Sequence, residues 1–176
     1  MIKRYLFIAK VTTFLLLLSN LASAQEFNYK VNAMYVYYFT KYIDWPSHSD
    51  SDNITIGVLG DSPVSDQLRI IIANKKSDTR TIIIKRIDIS EINKCQIIVV
   101  SKSKSSSMRQ VQEAAKDLSI LIVTEKPGLI NKGAGICIYI DDEDNFKTKF
   151  EISKKNLQNH ELKVATELLE MAEIVN

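Results

Sequence analysis

The chain has 176 residues, with 23 lysine and arginine residues against 21 aspartate and glutamate residues. The first 24 residues hold three of the basic residues and none of the acidic ones, so residues 25–176 carry 20 positive and 21 negative charges. This balance excludes the basic surface that nucleic-acid binding requires. The two cysteines are too few for the disulfide framework of a small secreted domain.

The amino terminus has the parts of a secretory signal peptide. Basic residues precede an apolar run over 14–18, and Ala22-Ser23-Ala24 matches the small-residue pattern that signal peptidase accepts. The run is far shorter than the roughly 20 residues that a membrane-spanning helix needs. We therefore expect export, cleavage after Ala24, and a single domain over residues 25–176.

The first predicted element of the mature chain is an amphipathic helix from Tyr29 to Ile43, because its apolar side chains recur at helical spacing. Trp45-Pro46 ends this helix, since the residue before a proline leaves the helical region and proline cannot continue the hydrogen-bond ladder. Further helices are predicted after Pro63, from Met108, and from Lys154 to the end of the chain.

Runs of β-branched residues between these helices predict strands. The predicted strands cover residues 54–59, 81–87, 96–100, 119–124, 136–140 and 147–153. The second and third are rich enough in isoleucine and valine to be central, and the last two form an antiparallel hairpin. The alternation predicts a three-layer, Rossmann-like α/β fold, with a mixed, mostly parallel sheet of about six strands flanked by helices.

No motif for catalysis, cofactor binding or metal binding is present. The two histidines, His48 and His160, lack the spacing of a metal site, and no nucleophile elbow or Walker loop occurs. The turn at Gly60-Asp61-Ser62-Pro63 leads from a strand into a helix, but Asp61 would repel a phosphate there. We read it as an ordinary turn in which Ser62 caps the helix, and we expect no catalytic residue, cofactor or metal.

Two side chains near the end of the first helix are candidate contacts for another protein. Tyr37 falls off the apolar stripe and is expected to be exposed, and Trp45 follows at the helix end. Tyrosine and tryptophan are favoured at interfaces. Cys95 and Cys137 lie in apolar stretches, and the residues leave open both a disulfide between them and two buried thiols.

Several segments together resemble the YfiR-like family of exported proteins. They are Val31–Pro46, Ile54–Pro63, Cys95–Val100, Phe150–Ile152 and Leu162–Leu169. The helix that ends in Trp-Pro, followed by the strand with Gly-Val-Leu-Gly, is the most specific part. The resemblance covers nearly all of the mature chain.

The resemblance implies a periplasmic α/β domain without catalysis. It implies a regulator that binds the periplasmic part of a membrane-bound diguanylate cyclase and restrains it, and that an outer-membrane lipoprotein can sequester. A second copy of the chain is a further candidate partner.

Two hypotheses follow. The leading one is a non-enzymatic periplasmic regulator that binds a sensor domain, with Tyr37, Trp45 and Glu151 as candidate contacts. Glu151 lies on the polar side of its strand, where it could instead pair with Lys149 or Arg80. The alternative is a small-ligand-binding protein that uses the cleft at the carboxyl ends of the parallel strands, near Asp61 and Ser62.

Overall fold

The computed structural model describes residues 29–46, 53–75, 80–141, 143–144 and 147–175, so the predicted signal peptide and His48 lie outside the described residues. Helices α1 to α5 cover 29–42, Val64–Ala73, Met108–Ala115, Lys154–Asn159 and Thr166–Glu170. Strands β1 to β9 cover Ile43–Asp44, Asn53–Leu59, Thr81–Ile87, Ile97–Val100, Leu121–Thr124, Ile136–Asp141, Lys147–Ser153, Lys163–Val164 and Glu173–Val175. Short 3₁₀ segments cover Ile89–Lys94, Lys102–Ser107 and Ile130–Lys132.

Seven strands form the main sheet in the order β3-β2-β4-β5-β6-β7-β9. The first five are parallel to one another, β7 is antiparallel to β6, and β9 is parallel to β7. Strands β1 and β8 form a separate antiparallel pair. The predicted mixed, mostly parallel α/β fold is confirmed, and the predicted hairpin is β6–β7.

The two faces of the sheet carry separate apolar layers. In β4, Ile97 and Val99 face the core formed with α1, α2, α4 and α5, whereas Ile98 and Val100 face the core formed with α3. Successive side chains of a strand point to opposite faces, so a strand buried on both faces must be apolar at every position. This explains the unbroken apolar sequence of β4.

The position of β3 differs from the prediction. The isoleucine-rich run Thr81–Ile87 was expected to be a central strand, but β3 lies at the edge of the sheet, and its isoleucines at 82–84 are only half-buried. Composition cannot distinguish an edge from a centre here, because α2 packs against one face of β3 and gives its isoleucines partial cover.

The carboxyl-terminal segment also differs from the prediction. In place of one helix from Lys154 to the end, α4 stops at Asn159, and Glu161 adopts a left-handed backbone with φ of 58°. The chain then forms β8, α5 and β9. Pairing of β8 with β1 and of β9 with β7 supplies backbone hydrogen bonds that a continuous helix would have to make internally.

The two cysteines are both buried and free, so the disulfide left open by the sequence does not form in this structure. Cys95 precedes β4 and Cys137 lies on β6, opposite Thr124 of β5. The strand register separates them by two strands and about five residues, which is roughly 19 Å at ordinary strand spacings. A disulfide requires Cα atoms within about 7 Å of each other.

Candidate functional site

The strand order reverses beside β2. The chain passes from β2 through α2 to β3 on one side, and it then crosses to β4 on the other side. In open α/β sheets, ligands bind at the carboxyl ends of strands at such a point. Backbone hydrogen bonds from Ser101 to Leu59 (3.2 Å) and from Glu125 to Val100 (3.3 Å) continue the ladder past the strand ends and hold the loops together there.

The turn after β2 packs closely against the loop after β4. Gly60 has a φ of 87°, and a Cβ atom at this position would lie 2.5 Å from Oγ of Ser101. Ser101 Oγ in turn lies 2.8 Å from Oγ of Ser103. Glycine is needed here both for the left-handed backbone and for the close approach.

Glu125 is an acidic residue buried at the carboxyl edge of the parallel strands, with 3% of its surface exposed. The Ser62 hydroxyl donates a hydrogen bond to its Oε1 at 3.1 Å. The side chain of Asn32, from α1, makes a second hydrogen bond to the same carboxylate. Burial raises the pKa of Glu125, while these two hydrogen bonds and the nearby charge of Lys102 oppose that rise.

A pocket of about 210 Å³ opens beside Glu125. Tyr29 and Asn32 of α1 and Tyr139 of β6 are among the residues that line it. Lys102, Pro127, Ile138 and Ile140 complete the lining. The Oδ1 atom of Asn32 is buried and accepts no hydrogen bond from the described residues.

Of the two residues predicted to lie near the ligand cleft, Ser62 is buried and Asp61 is exposed. Ser62 is buried against Glu125, and its Oγ also accepts a hydrogen bond from the backbone of Val64, the first residue of α2, at 3.2 Å. The cap position itself is occupied by Pro63 and not, as predicted, by Ser62. The Asp61 side chain is 88% exposed and lies 3.6 Å from Arg86, so it points away from the buried acid.

The prediction that Tyr37 is exposed is wrong. Its ring is 7% exposed and belongs to the core. The ammonium groups of Lys41 and Lys75 lie 5.5 and 5.6 Å from the ring centre and cover it. The exposed aromatic residue of this part of the helix is Tyr42, at 37%.

Trp45 is half-buried against the same core as Tyr37. Its indole Nε1 is buried and has no hydrogen-bond acceptor among the described residues. Tyr37 and Trp45 therefore share one face of the sheet, near the end of α1. Whether either contacts a partner stays a prediction.

Glu151 lies on the opposite face. Its neighbours Phe150 and Ile152 face the α1 core, so Glu151 points to the other side, beside Cys137 of β6 and Glu173 of β9 in the strand register. Burial, and then the charge of Glu173, raise its pKa. The proposed pairing with Lys149 is not formed, since Lys149 binds Asp141 at 2.7 Å and Asp144 at 3.0 Å.

The described residues contain no cluster of three histidine, cysteine, aspartate or glutamate side chains that could hold a metal ion. His160 makes a 2.7 Å hydrogen bond through Nδ1 to the Leu118 carbonyl. Across these same ranges, no helix is both long and apolar enough to cross a bilayer. The fold and this edge of the sheet thus define an α/β domain with a small pocket that has a buried carboxylate in its lining.

The chain belongs to the DUF4154 family, described as YfiR/HmsC-like, whose model matches residues 29–173. The resemblance read from the sequence is thereby confirmed. The comparison with curated proteins gives no match.

Two solved structures share the fold. The ABC domain in complex with L-Trp from Streptococcus pneumonia has a TM-score of 0.52 at 17% identity, covering 69% of this chain and 55% of that one. A conserved domain protein from Vibrio cholerae O1 biovar eltor has a TM-score of 0.53 at 12% identity, with 69% and 54% covered. The chain thus spans about half the length of each of these proteins.

Sequence reasoning missed the central residues of the pocket, Glu125 and Asn32. One signal was present for Glu125, which directly follows the apolar strand β5 and so had to lie at the carboxyl edge of a parallel sheet. Nothing local marked Asn32, because its role depends on α1 packing across that edge.

Proposed function

We propose that the mature chain is a non-enzymatic periplasmic regulator that binds the periplasmic part of an inner-membrane signalling protein of the diguanylate cyclase type. The observation that carries this proposal is membership of the YfiR/HmsC-like family over residues 29–173. A regulator of this kind shifts its target between states only by binding one state more tightly than the other.

An apolar stripe on α1 supports a protein-binding surface. Met34, Tyr38 and Tyr42 recur every four residues, so they lie along one side of the helix, with 38% of Met34 and 37% of Tyr42 exposed. The rings of Tyr38 and Tyr42 are 6.3 Å apart. We call these three residues the α1 stripe, and we place Trp45 at its end.

Basic groups beside the α1 stripe indicate the charge of the partner. Lys41 and Lys75 cover the Tyr37 ring, and the charge of Arg80 acts with burial to lower the pKa of Lys41. Like charges gathered on one surface favour a partner of opposite sign. The sensor surface that binds here therefore carries acidic residues around an apolar centre.

Periplasmic location follows from the predicted leader. Cleavage after Ala24 would give a mature protein that begins at Gln25. Amino-terminal sequencing of the protein from a periplasmic extract tests this, and an uncut terminus would contradict it. An outer-membrane lipoprotein and a second copy of the chain are further proposed partners, with Glu151 as a candidate contact on the opposite face.

The test of the regulator is a measurement of cyclic di-GMP in cells that lack the chain. Loss of the gene should change the cyclic di-GMP level, and the wild-type gene should restore it. A Tyr42→Ala variant should fail to restore it and should bind the purified periplasmic domain of the cyclase about thirty-fold more weakly or worse, as expected for an aromatic hot spot.

Ile70→Ala is the matched control, because Ile70 is 54% exposed on α2 and lies outside the α1 stripe. It should restore the level fully. Equal behaviour of the two variants would reject the α1 stripe as the partner-binding surface. An unchanged cyclic di-GMP level in the deletion strain would reject the proposal that the chain is a regulator.

A second function, small-ligand binding, is supported by one observation. The pocket lies at the strand carboxyl ends and has the buried Glu125 in its lining. A ligand there can act together with a partner-binding surface elsewhere on the domain.

A further inference from the structure

The pocket at the carboxyl edge of the sheet has a size suited to a metabolite. Its volume of about 210 Å³ is below the roughly 300–1,000 Å³ of sites that hold drug-sized ligands. Tyr29, Ile138 and Pro127 give it apolar surface.

The buried polar atoms of the pocket are hydrogen-bond acceptors. The Glu125 carboxylate receives hydrogen bonds from Ser62 and Asn32, and it retains further acceptor capacity because a carboxylate offers about four lone-pair positions. The Oδ1 atom of Asn32 is buried and receives no hydrogen bond within the described part of the chain. A buried acceptor left unpaired is destabilising, so the complementary ligand group is a donor.

The negative charge of Glu125 is also not neutralised by a neighbouring cation in the described part of the chain. Among the described residues, no lysine, arginine or histidine nitrogen forms an ion pair with Glu125 within 4.0 Å. Lys102 lines the pocket, but it is exposed and acts on Glu125 only at longer range. A buried carboxylate without a cation partner is costly, and a cationic ligand group would supply that partner.

From these observations we infer that the pocket binds a small molecule carrying a primary ammonium group, with the ammonium donating to Glu125 and to Oδ1 of Asn32. The apolar part of the ligand lies against Tyr29 and Pro127. An ammonium group has three donors and one positive charge, so it supplies both the hydrogen bonds that the acceptors lack and the cation that Glu125 lacks. This inference deepens the ligand-binding function and rests on it, while the regulator proposal does not depend on it.

The test uses the purified mature domain with phenethylamine as the probe and phenethyl alcohol as its neutral analogue, measured by isothermal titration calorimetry. Phenethylamine should bind and the alcohol should not. Glu125→Gln should weaken amine binding at least about tenfold, the loss expected for a charge-assisted hydrogen bond. Glu113→Gln, the same change at an exposed position of α3, should bind as the wild type does.

A second measurement needs no variant. Amine binding to the wild type should weaken as the pH falls and Glu125 becomes protonated, and binding in that range should release protons to the buffer. Equal affinity for the amine and the alcohol, absence of amine binding, or an unaltered affinity in Glu125→Gln would each overturn the inference. None of these outcomes bears on cyclic di-GMP levels, so the regulator proposal is tested separately.

Discussion

The Ser62 hydroxyl donates a hydrogen bond to the buried carboxylate of Glu125 across 63 positions of sequence. Ser62 follows β2 and Glu125 follows β5, two strands that β4 separates in the sheet. The same hydroxyl oxygen accepts from the backbone of Val64 at the start of α2. A single side chain thus joins the helix start to the buried acid.

Replacing Ser62 by alanine should therefore remove two interactions at once. Glu125 would lose a donor, and the backbone of Val64 would lose its acceptor. We expect the free energy of unfolding to fall by about 1–3 kcal/mol, measured by urea denaturation of the mature domain. Ser106→Ala, at an exposed position of a 3₁₀ segment, should change it by less than about 0.5 kcal/mol. Equal effects of the two variants would contradict this role of Ser62.

The raised pKa of Glu125 predicts a specific dependence of stability on pH. The folded protein binds the Glu125 proton more tightly than the unfolded chain does, whose glutamates titrate near pH 4.3. The stability that Glu125 contributes is thus fully present below about pH 4.3 and is lost as the pH rises through its folded-state pKa. The difference in unfolding free energy between wild type and Glu125→Gln should therefore favour the wild type more in acid than at neutral pH.

Urea denaturation at a series of pH values measures this difference. Glu113→Gln removes the same charge from an exposed position and serves as the control. A difference that is independent of pH, or one that favours the wild type more at neutral pH than in acid, would show that burial does not control the proton on Glu125.

The two thiols should be unreactive in the folded protein. Burial is the largest cause of the raised thiol pKa values, about 11 for Cys95 and about 12 for Cys137. At pH 7 the thiolate fraction of Cys95 is then about one in ten thousand, and thiolate is the reactive form. Reaction with Ellman's reagent should be slow in buffer and should reveal both thiols after unfolding in urea. Recovery of only the disulfide-bonded form from an oxidising medium would contradict the register that keeps the cysteines apart.

Phe150 on β7 should be one of the most costly residues to truncate. Its ring is 1% exposed and lies 4.8 Å from the ring of Tyr35 and 5.5 Å from that of Phe39, both on α1. Phe150→Ala should lower the free energy of unfolding by about 3–5 kcal/mol, because it leaves a cavity between the helix and the sheet. Met171→Ala removes a side chain that is 62% exposed and should have a small effect. A loss below about 1 kcal/mol for Phe150→Ala would mean that α1 does not depend on this contact.

The sequence predicted the elements whose cause is local. Strand β7 was predicted at Lys147–Ser153, the residues it occupies, because apolar and polar side chains alternate there with a period of two. The end of α1 before Trp45-Pro46 was equally clear. The prediction of a single carboxyl-terminal helix was wrong, because the left-handed backbone of Glu161 and the pairing of β8 with β1 override the helical spacing of the apolar residues.

By itself, the amino-acid sequence determined the main strands and helices as far as Asn159, their alternation, and the family they form, since these follow from periodicity, turn residues and motif. The tertiary structure alone decided that β3 lies at an edge, that lysine side chains bury Tyr37, and that Asn32 meets Glu125 beside a pocket. Each of these depends on contacts between residues far apart in the chain, and a local pattern carries no record of which distant segment will pack against it.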